Sequence, residues 1–341
     1  MRKLRVLALV HQDLVPPESI EGLSEEEVAP FKTEYDVVST LRRIGHEVTS
    51  VGVGGDLRVI RSAIESTRAD IVFNLLEEFD GQAVFDQHVV SYLELLRMPY
   101  TGCGPRGLML ARDKALAKKI LSYHRIRVPD FVVYPRGAAV RRPKRLAFPL
   151  FVKSLVEEAS LGIAQASLVN DDEALRERVA FIHERIATDA LVEQYIDGRE
   201  LYVGVIGNAR LQVLPVWELL FTKAPEDMPR IATAKAKWDP KYQKRWGIVS
   251  QKARDLPEGM SEKIAALAKR IYRSLGLTGY ARIDLRMTPG GELHVLEANP
   301  NPQLAFGEDL ADSARAVGLS YEDLLQRILN LGLSRARDLR G

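Results

Sequence analysis

Tyr280-Ala281-Arg282-Ile283-Asp284-Leu285-Arg286, a Thr288-Pro289-Gly290-Gly291 turn and Glu292-Leu293-His294-Val295-Leu296-Glu297-Ala298-Asn299 read together as a β-hairpin. Side chains alternate along a strand, so Arg282 and Asp284 share one face of the first strand, and Glu297 and Asn299 share one face of the second. If the hairpin closes symmetrically about Pro289 and Gly290, Arg282 lies opposite Glu297, Asp284 lies diagonally from it, and the four polar groups converge. Ala281, Ile283, Leu285, Leu296 and Ala298 then form an apolar face for packing, and a one-residue slip would scatter the set. In this register Leu293 and Val295 fall on the polar face, against the pattern. Two carboxylates and an amide oxygen make a hard-oxygen site for Mg²⁺, which keeps one or two carboxylate ligands and takes the rest from water and phosphate. Such a site would hold a metal-bound nucleotide; an exposed strand pair with an ordinary Arg–Glu salt bridge is the plainer alternative.

Two further stretches point the same way. Val152-Lys153 ends a strand and runs into Ser154-Leu155-Val156-Glu157-Glu158-Ala159-Ser160-Leu161-Gly162. Backbone N–H groups of a Ser/Gly loop can surround phosphate oxygens, and Lys153 adds a compact cation; an unspecialised surface loop is the alternative. The third stretch, Leu191-Val192-Glu193-Gln194-Tyr195-Ile196-Asp197-Gly198-Arg199-Glu200, is an apolar strand entering a hinge-like turn. Extended backbone there could meet a purine edge, with Tyr195 or Ile196 on its face and Glu200 receiving ribose hydroxyls. Clefts between domains are common ligand sites.

Outward from these, residues 1–105 alternate short apolar runs with helix-period segments: strands at 4–10, 46–52 and 70–75, helices near 31–44, 57–66 and 87–98. That rhythm predicts a parallel sheet flanked by helices. A helix at 114–123 with Asp113 as N-cap, strands at 150–153, 163–169 and 190–195 and a helix at 171–188 make a second unit, 106–197. The third, 198–341, has strands at 200–206 and 209–219, an irregular segment, a helix near 261–275, the hairpin and a final helix near 321–331. The fold class is therefore α/β plus α+β.

Composition narrows the function. With 48 Lys+Arg against 46 Asp+Glu the net charge is only +2, too little for a field that gathers nucleic acid or anionic lipid. Cys103 is the only cysteine, which excludes an internal disulfide and a cysteine-rich zinc site. The apolar run at 6–10 is too short for a signal-peptide core and no cleavage site follows it. No stretch approaches the ~20 apolar residues of a membrane span, and a cytoplasmic protein is expected.

Taken in order, Asp113-Lys114, Val152-Lys153, Ser160-Leu161-Gly162, Glu193-Gln194-Tyr195-Ile196, Glu200, Arg282-x-Asp284 and Glu297-x-Asn299 resemble the ATP-grasp enzymes, and among them the D-alanine-D-alanine ligases. Phe73-Asn74-Leu75, Asp80-Gly81 and Pro99-Tyr100-Thr101-Gly102 extend the likeness into the first unit. The resemblance implies an ATP-grasp fold behind an amino-terminal parallel-sheet domain, and a cytoplasmic ligase, as a homodimer, joining small amino-acid-like substrates. ATP and two Mg²⁺ ions, with Mn²⁺ as a substitute, are the implied cofactors. It further implies that Lys114 and Lys153 contact phosphates or adenine, and that Glu193, Gln194, Tyr195 and Ile196 form the adenine hinge. Glu200 would bind ribose, and the Ser160, Leu161, Gly162 loop would close over the phosphates. Asp284, Glu297 and Asn299 would hold the metals, Arg282 would stabilise transferred charge, and Lys237, with Lys235 as rival, would reach the γ-phosphate. Arg282, Lys237 and Ser160 are thus the implied catalytic set.

The substrate side departs from the family. His11-Gln12-Asp13-Leu14-Val15-Pro16-Pro17 stands where the family has a Ser-x-Glu-x-x-Val-Ser segment, and Asn74-Leu75-Leu76-Glu77-Glu78 lacks the histidine of its Asn-x-x-His-Gly. Pro300-Asn301-Pro302-Gln303-Leu304 replaces the Pro-Gly-Met-Thr-like loop. Three readings follow: a carboxylate–amine ligase with substrates other than two D-alanines, a D-alanine-D-alanine ligase with a rebuilt pocket, or an ATP-binding module without catalysis.

Overall fold

A computed structural model describes residues 3–157, 160–225 and 228–338; Glu158 and Ala159 of the expected phosphate loop lie outside the described residues. Strands β1 (Arg5–His11), β2 (Glu47–Val53) and β3 (Ile71–Asn74) form a parallel sheet in the order β2-β1-β3. The run of buried apolar residues in β1 has the cause expected of a parallel sheet covered on both faces. Val6, Ala8 and Val10 meet Val37, Val38 and Leu41 of the helix Lys32–Arg43, while Leu7 and Leu9 meet Ile60, Val89 and Leu93 on the other side. The last helix, Tyr321–Asp338, also returns to this sheet, with Leu324, Leu325, Ile328 and Leu329 in the same cluster as Val6 and Ala8.

The second sheet is antiparallel in the order β4-β7-β5-β6, from β4 (Phe131–Tyr134), β5 (Leu150–Ser154), β6 (Leu168–Val169) and β7 (Ala190–Gln194). Val152 and Val192, paired across β5 and β7, pack under Leu175 and Val179 of the helix Asp172–Phe181. Lys153, Phe151 and Glu193 belong to the opposite face. The third sheet holds β8 (Arg199–Ile206), β9 (Gln212–Val213), β10 (Trp217–Phe221), β11 (Ile248–Lys252), β12 (Tyr280–Met287) and β13 (Leu293–Asn299), in the order β11-β10-β8-β12-β13 with β9 on β8.

The hairpin register differs from the symmetric one. Arg282 pairs with Asn299, Asp284 pairs directly with Glu297, and after a shift between Asp284 and Leu285 the pairing continues as Leu285 with Val295 and Met287 with Leu293. The extra residue is Leu296, a β-bulge, and a bulge changes which face the following residues present. Leu293 and Val295 are thereby moved to the apolar face, where they join Ile283, Leu285 and Ala298 against Ile264, Ala268 and Ile271 of the helix Met260–Ser274. Glu297 and Asn299 stay on the polar face with Asp284 and Arg282.

Other boundaries shift for local reasons. The strand expected at 209–219 is broken at Pro215, which cannot donate to a ladder, and the one at 163–169 shrinks to Leu168–Val169. The helix from Asp172 gives way to a π turn at Ile182–Ile186. The segment read as irregular, between the strand ending at 219 and the helix near 261, contains helices Ala234–Trp238 and Pro240–Trp246, N-capped by Thr233 and Asp239, before β11. The helices Pro105–Arg112 and Asp309–Arg315 and strand β4 were not expected. Among the described residues no helix is long and apolar enough to cross a membrane.

Gly198 joins β7 to β8 at φ +143°, and a Cβ there would stand 2.1 Å from the Met287 carbonyl oxygen. Combined strain and overpacking should make Gly198→Ala about 3 kcal/mol less stable in urea denaturation; a change within about 0.5 kcal/mol would contradict this contact.

Candidate active site

Two cavities meet at the polar face of the hairpin. A narrow slot of about 70 Å³ runs between the second and third sheets, lined by Lys153, Ser160, Gln194, Tyr195, Ile196 and Asp284 among others. A chamber of about 910 Å³ lies between the hairpin and the first sheet, with Arg282, Asn299 and Asn301 in its wall. Lys237 and Glu297 line both.

Under the slot sits a buried charge cluster. Phe151 pairs with Glu193 across β5 and β7, so Lys153, two residues on, reaches Glu193 diagonally at 2.8 Å. From the helix Lys114–Tyr123, Lys118 reaches the other Glu193 oxygen at 2.9 Å. Glu193, Lys118 and Lys153 are 2%, 2% and 5% exposed. Burial opposes the Glu193 charge, but the two lysines hold its carboxyl below the usual range. Lys118 pays for the arrangement: burial, with Lys153 beside it, lowers its ammonium to about 8. It also donates to the Leu296 carbonyl at the bulge, 3.0 Å away. Lys114, one turn earlier on the same helix face, donates to the Glu157 carbonyl at 2.6 Å and stands 3.8 Å from Glu297. The Asp113 carboxylate caps this helix by accepting from the Leu116 N–H at 2.8 Å.

The hinge is organised by Arg286. Its guanidinium donates to Tyr195 Oη (3.2 Å), the Ile196 carbonyl (3.2 Å), the Arg230 carbonyl (2.5 Å) and Glu200 (2.7 Å). Tyr202 Oη donates to the other Glu200 oxygen at 2.9 Å; each oxygen keeps a second lone pair for an incoming hydroxyl. The hinge backbone is less open than the sequence implied. The Gln194 and Tyr195 N–H groups already donate to the carbonyls of Asp130 and Pro149.

At the hairpin, Arg282 donates twice to Asp284, at 2.8 Å each, and lies over the Tyr202 ring at 4.7 Å and 3.7 Å from Asp309. The expected opposition of Arg282 and Glu297 is replaced by that of Asp284 and Glu297. Burial raises the Asp284 carboxyl, with Glu297 adding to the effect. Burial opposes the Glu297 charge too, yet Lys114, Lys153, Lys237 and Arg282 together hold that carboxyl well below the usual range. Asn299 Oδ1 accepts from the Asn301 N–H at 2.8 Å and retains a lone pair. No cluster of three or more His, Cys, Asp or Glu suited to a metal occurs among the described residues. A divalent cation here would meet two carboxylates and an amide oxygen, a donor set that fits Mg²⁺.

The remaining expectations divide. Ser160 lines the slot at φ +62°, its hydroxyl donating to the Ala232 carbonyl at 2.8 Å. Leu161, half exposed, and Gly162 line neither cavity. Lys237 borders both cavities; its rival Lys235 is exposed and borders neither. Sequence reasoning missed Lys118, Arg286 and Glu34. The i, i+4 spacing from Lys114 could have found Lys118, and the strand alternation from Asp284 could have found Arg286. No pattern singled out Glu34, a 6% exposed chamber residue.

The slot between two antiparallel sheets, its buried lysines and the paired carboxylates at its end define an ATP-grasp architecture. In shape the chain superposes on the D-alanine–D-alanine ligase of Bacillus anthracis complexed with ATP with a TM-score of 0.76 at 21% identity, covering 98% of this chain and 99% of that one. The family model described as D-ala D-ala ligase C-terminus matches residues 119–330. The D-alanine–D-alanine ligase of Desulforudis audaxviator is 31% identical over 317 residues, 92% of this chain and 97% of that protein. An uncharacterized protein, y4sG, of Sinorhizobium fredii is 32% identical over 308 residues, 88% and 87% of the two chains. The chain belongs to the D-alanine–D-alanine ligase family, ligases that form carbon–nitrogen bonds.

Two stability measurements test the buried charges. Glu193→Leu strands two buried lysines and should cost about 3–5 kcal/mol, whereas Lys118→Met leaves Glu193 paired with Lys153 and should cost clearly less; equal losses would contradict the sandwich. Burial raises the Glu34 carboxyl from 4.5 to about 7. The folded state therefore binds this proton more tightly than the unfolded chain, so the native protein loses stability as pH rises between these values. Glu34→Gln should match the parent near pH 4 and exceed it above pH 7 by up to about 3 kcal/mol, read from urea midpoints across pH.

Proposed function

We propose that this chain is an ATP-dependent carboxylate–amine ligase that joins small amino-acid-type substrates through an acyl phosphate, releasing ADP and phosphate. The observation that carries the reading is the shared border of the two cavities, where Lys237 and Glu297 face both the nucleotide slot and the substrate chamber. A phosphoryl group leaving the slot must emerge there.

Phosphoryl transfer requires positioning and neutralised charge more than covalent help. In this reading Ile196 and its neighbours hold the base, Glu200 receives ribose hydroxyls, and Lys153 and Lys114 face the phosphates. A divalent cation held by Asp284, Glu297 and Asn299 would supply charge neutralisation for the triphosphate. Lys237 meets the transferring group and releases it towards the chamber. When an amine attacks the acyl phosphate, the oxyanion formed is met by Arg282, whose guanidinium is fixed by Asp284 and Tyr202 before any substrate arrives. The cover provided by Ser160 and the 231–237 segment keeps water from the acyl phosphate.

The names of the relatives favour D-alanine for both substrates. The replaced stretches at 11–17, 74–78 and 300–304, all bordering the chamber, favour a different pair. Phosphate release from ATP with Mg²⁺ and a panel of D- and L-amino acids separates the two, since turnover with D-alanine alone would reject the second. Asp284→Asn and Glu297→Gln should each lower phosphate release at least ~10³-fold with the circular dichroism spectrum unchanged. Unchanged activity in both would remove the metal assignment.

A further inference from the structure

Among the described residues, seven carboxylates but only two permanent cations, Lys237 and Arg282, line the chamber. Most of the acids have company. Asp309 stands near Arg282 at 3.7 Å, and Glu78 and Asp13 stand near His11 at 3.2 and 3.7 Å. Glu34 differs. It lies in the first turn of the helix Lys32–Arg43, is 6% exposed, and among the described residues forms no ion pair and meets no donor other than its own backbone N–H. Lys32, the nearest cation along the helix, is turned away to Asp36 at 2.8 Å and to the Phe306 carbonyl at 2.6 Å. A carboxylate near a helix N-terminus gains from the helix dipole, yet burial outweighs that gain here and lifts the Glu34 carboxyl to about 7.

A buried acid without a partner, set in the wall of a roomy cavity, is costly until a cation reaches it. In the ligase reading Lys237 and Arg282 meet the reacting carboxylate of one substrate, and an α-ammonium needs one acid. Glu34 comes from the first sheet's own helix, on the wall across from the hairpin, and is surplus to those needs. We propose that Glu34 makes the chamber select an amino-acid substrate whose side chain carries a second ammonium group, a diamino acid. This rests on the ligase reading above and narrows its substrate class. A site built to pair with such a group rejects the analogue lacking it, because the carboxylate is then left alone.

The test is calorimetric titration of the full-length chain, with Mg²⁺ and a non-hydrolysable ATP analogue present, using both enantiomers of ornithine and of norvaline, which differs by having no side-chain ammonium. Ornithine of one hand should bind at least about tenfold more tightly than norvaline. Glu34→Gln, a near-isosteric change that removes a buried charge, should weaken ornithine by at least that factor and norvaline less than about twofold. Equal affinities, no heat from either compound, or a Glu34→Gln loss shared equally by both would overturn the proposal. The last outcome would assign Glu34 to an α-ammonium. Phosphate release is measured separately: its absence beside an intact ornithine preference would overturn the ligase reading and leave the selectivity of Glu34 standing.

Discussion

One inserted residue holds the site together. Leu296 bulges from β13 beside the pairing of Asp284 with Glu297, and the shift lets one strand satisfy two opposed demands. Before the bulge, Leu293 and Val295 must enter the core against the helix Met260–Ser274; after it, Glu297 and Asn299 must face the cavities. A strictly alternating strand with the same residues would bury Glu297 or expose Val295. The bulge also frees the Leu296 carbonyl to accept from Lys118, tying the hairpin to the helix that carries the floor of the slot.

The second constraint is charge. Glu193, Lys118, Lys153, Arg286 and Asp284 are all at most 5% exposed, and groups so placed are tolerated only with near-complete pairing. Glu193 meets that condition with one lysine from its own sheet and one from the preceding helix. Arg286 meets it by gathering backbone carbonyls from the hinge, together with Glu200. The hinge therefore owes its shape to a residue on the hairpin, and the two sheets bordering the slot are joined by polar bonds rather than by apolar packing. Such joints fix orientation more sharply than greasy contact does, which suits a slot where atoms must be aligned for transfer.

Much of this was legible in the sequence. The alternation in β1, the Asp113 cap and the hairpin each follow from local chemistry, and the alternation argument put Asp284 and Glu297 on one face. The details that escaped are those set by distant partners. Strand β4 is four residues whose pairing depends on β7, and a helix begins at Pro105, where the first unit was expected to end, because proline suits a helix's first turn. The bulge itself leaves no mark in a hairpin of unknown register. Glu34 looked like one more acid on an amphipathic helix; only the chamber wall distinguishes it from its solvated neighbours. Leu161 and Gly162 matched a pattern, yet neither lines the slot that their loop was expected to close over.

The roof of the slot links the two halves of the chemistry. Ser160 donates to the Ala232 carbonyl, the Ala234 N–H donates to the Ile163 carbonyl at 3.1 Å, and Gln165 reaches the Pro229 carbonyl at 3.4 Å. The loop after β5 is thus latched to the segment that leads into the Lys237 helix, although the two arise from different sheets. Any separation of the two sheets would break these bonds, and closure would remake them. Because Lys237 follows directly from the latched segment, the bonds that cover the slot also place that cation at the border of the two cavities. A ligase working through an acyl phosphate needs both at the same moment, since an intermediate formed in an open cleft would be lost to hydrolysis.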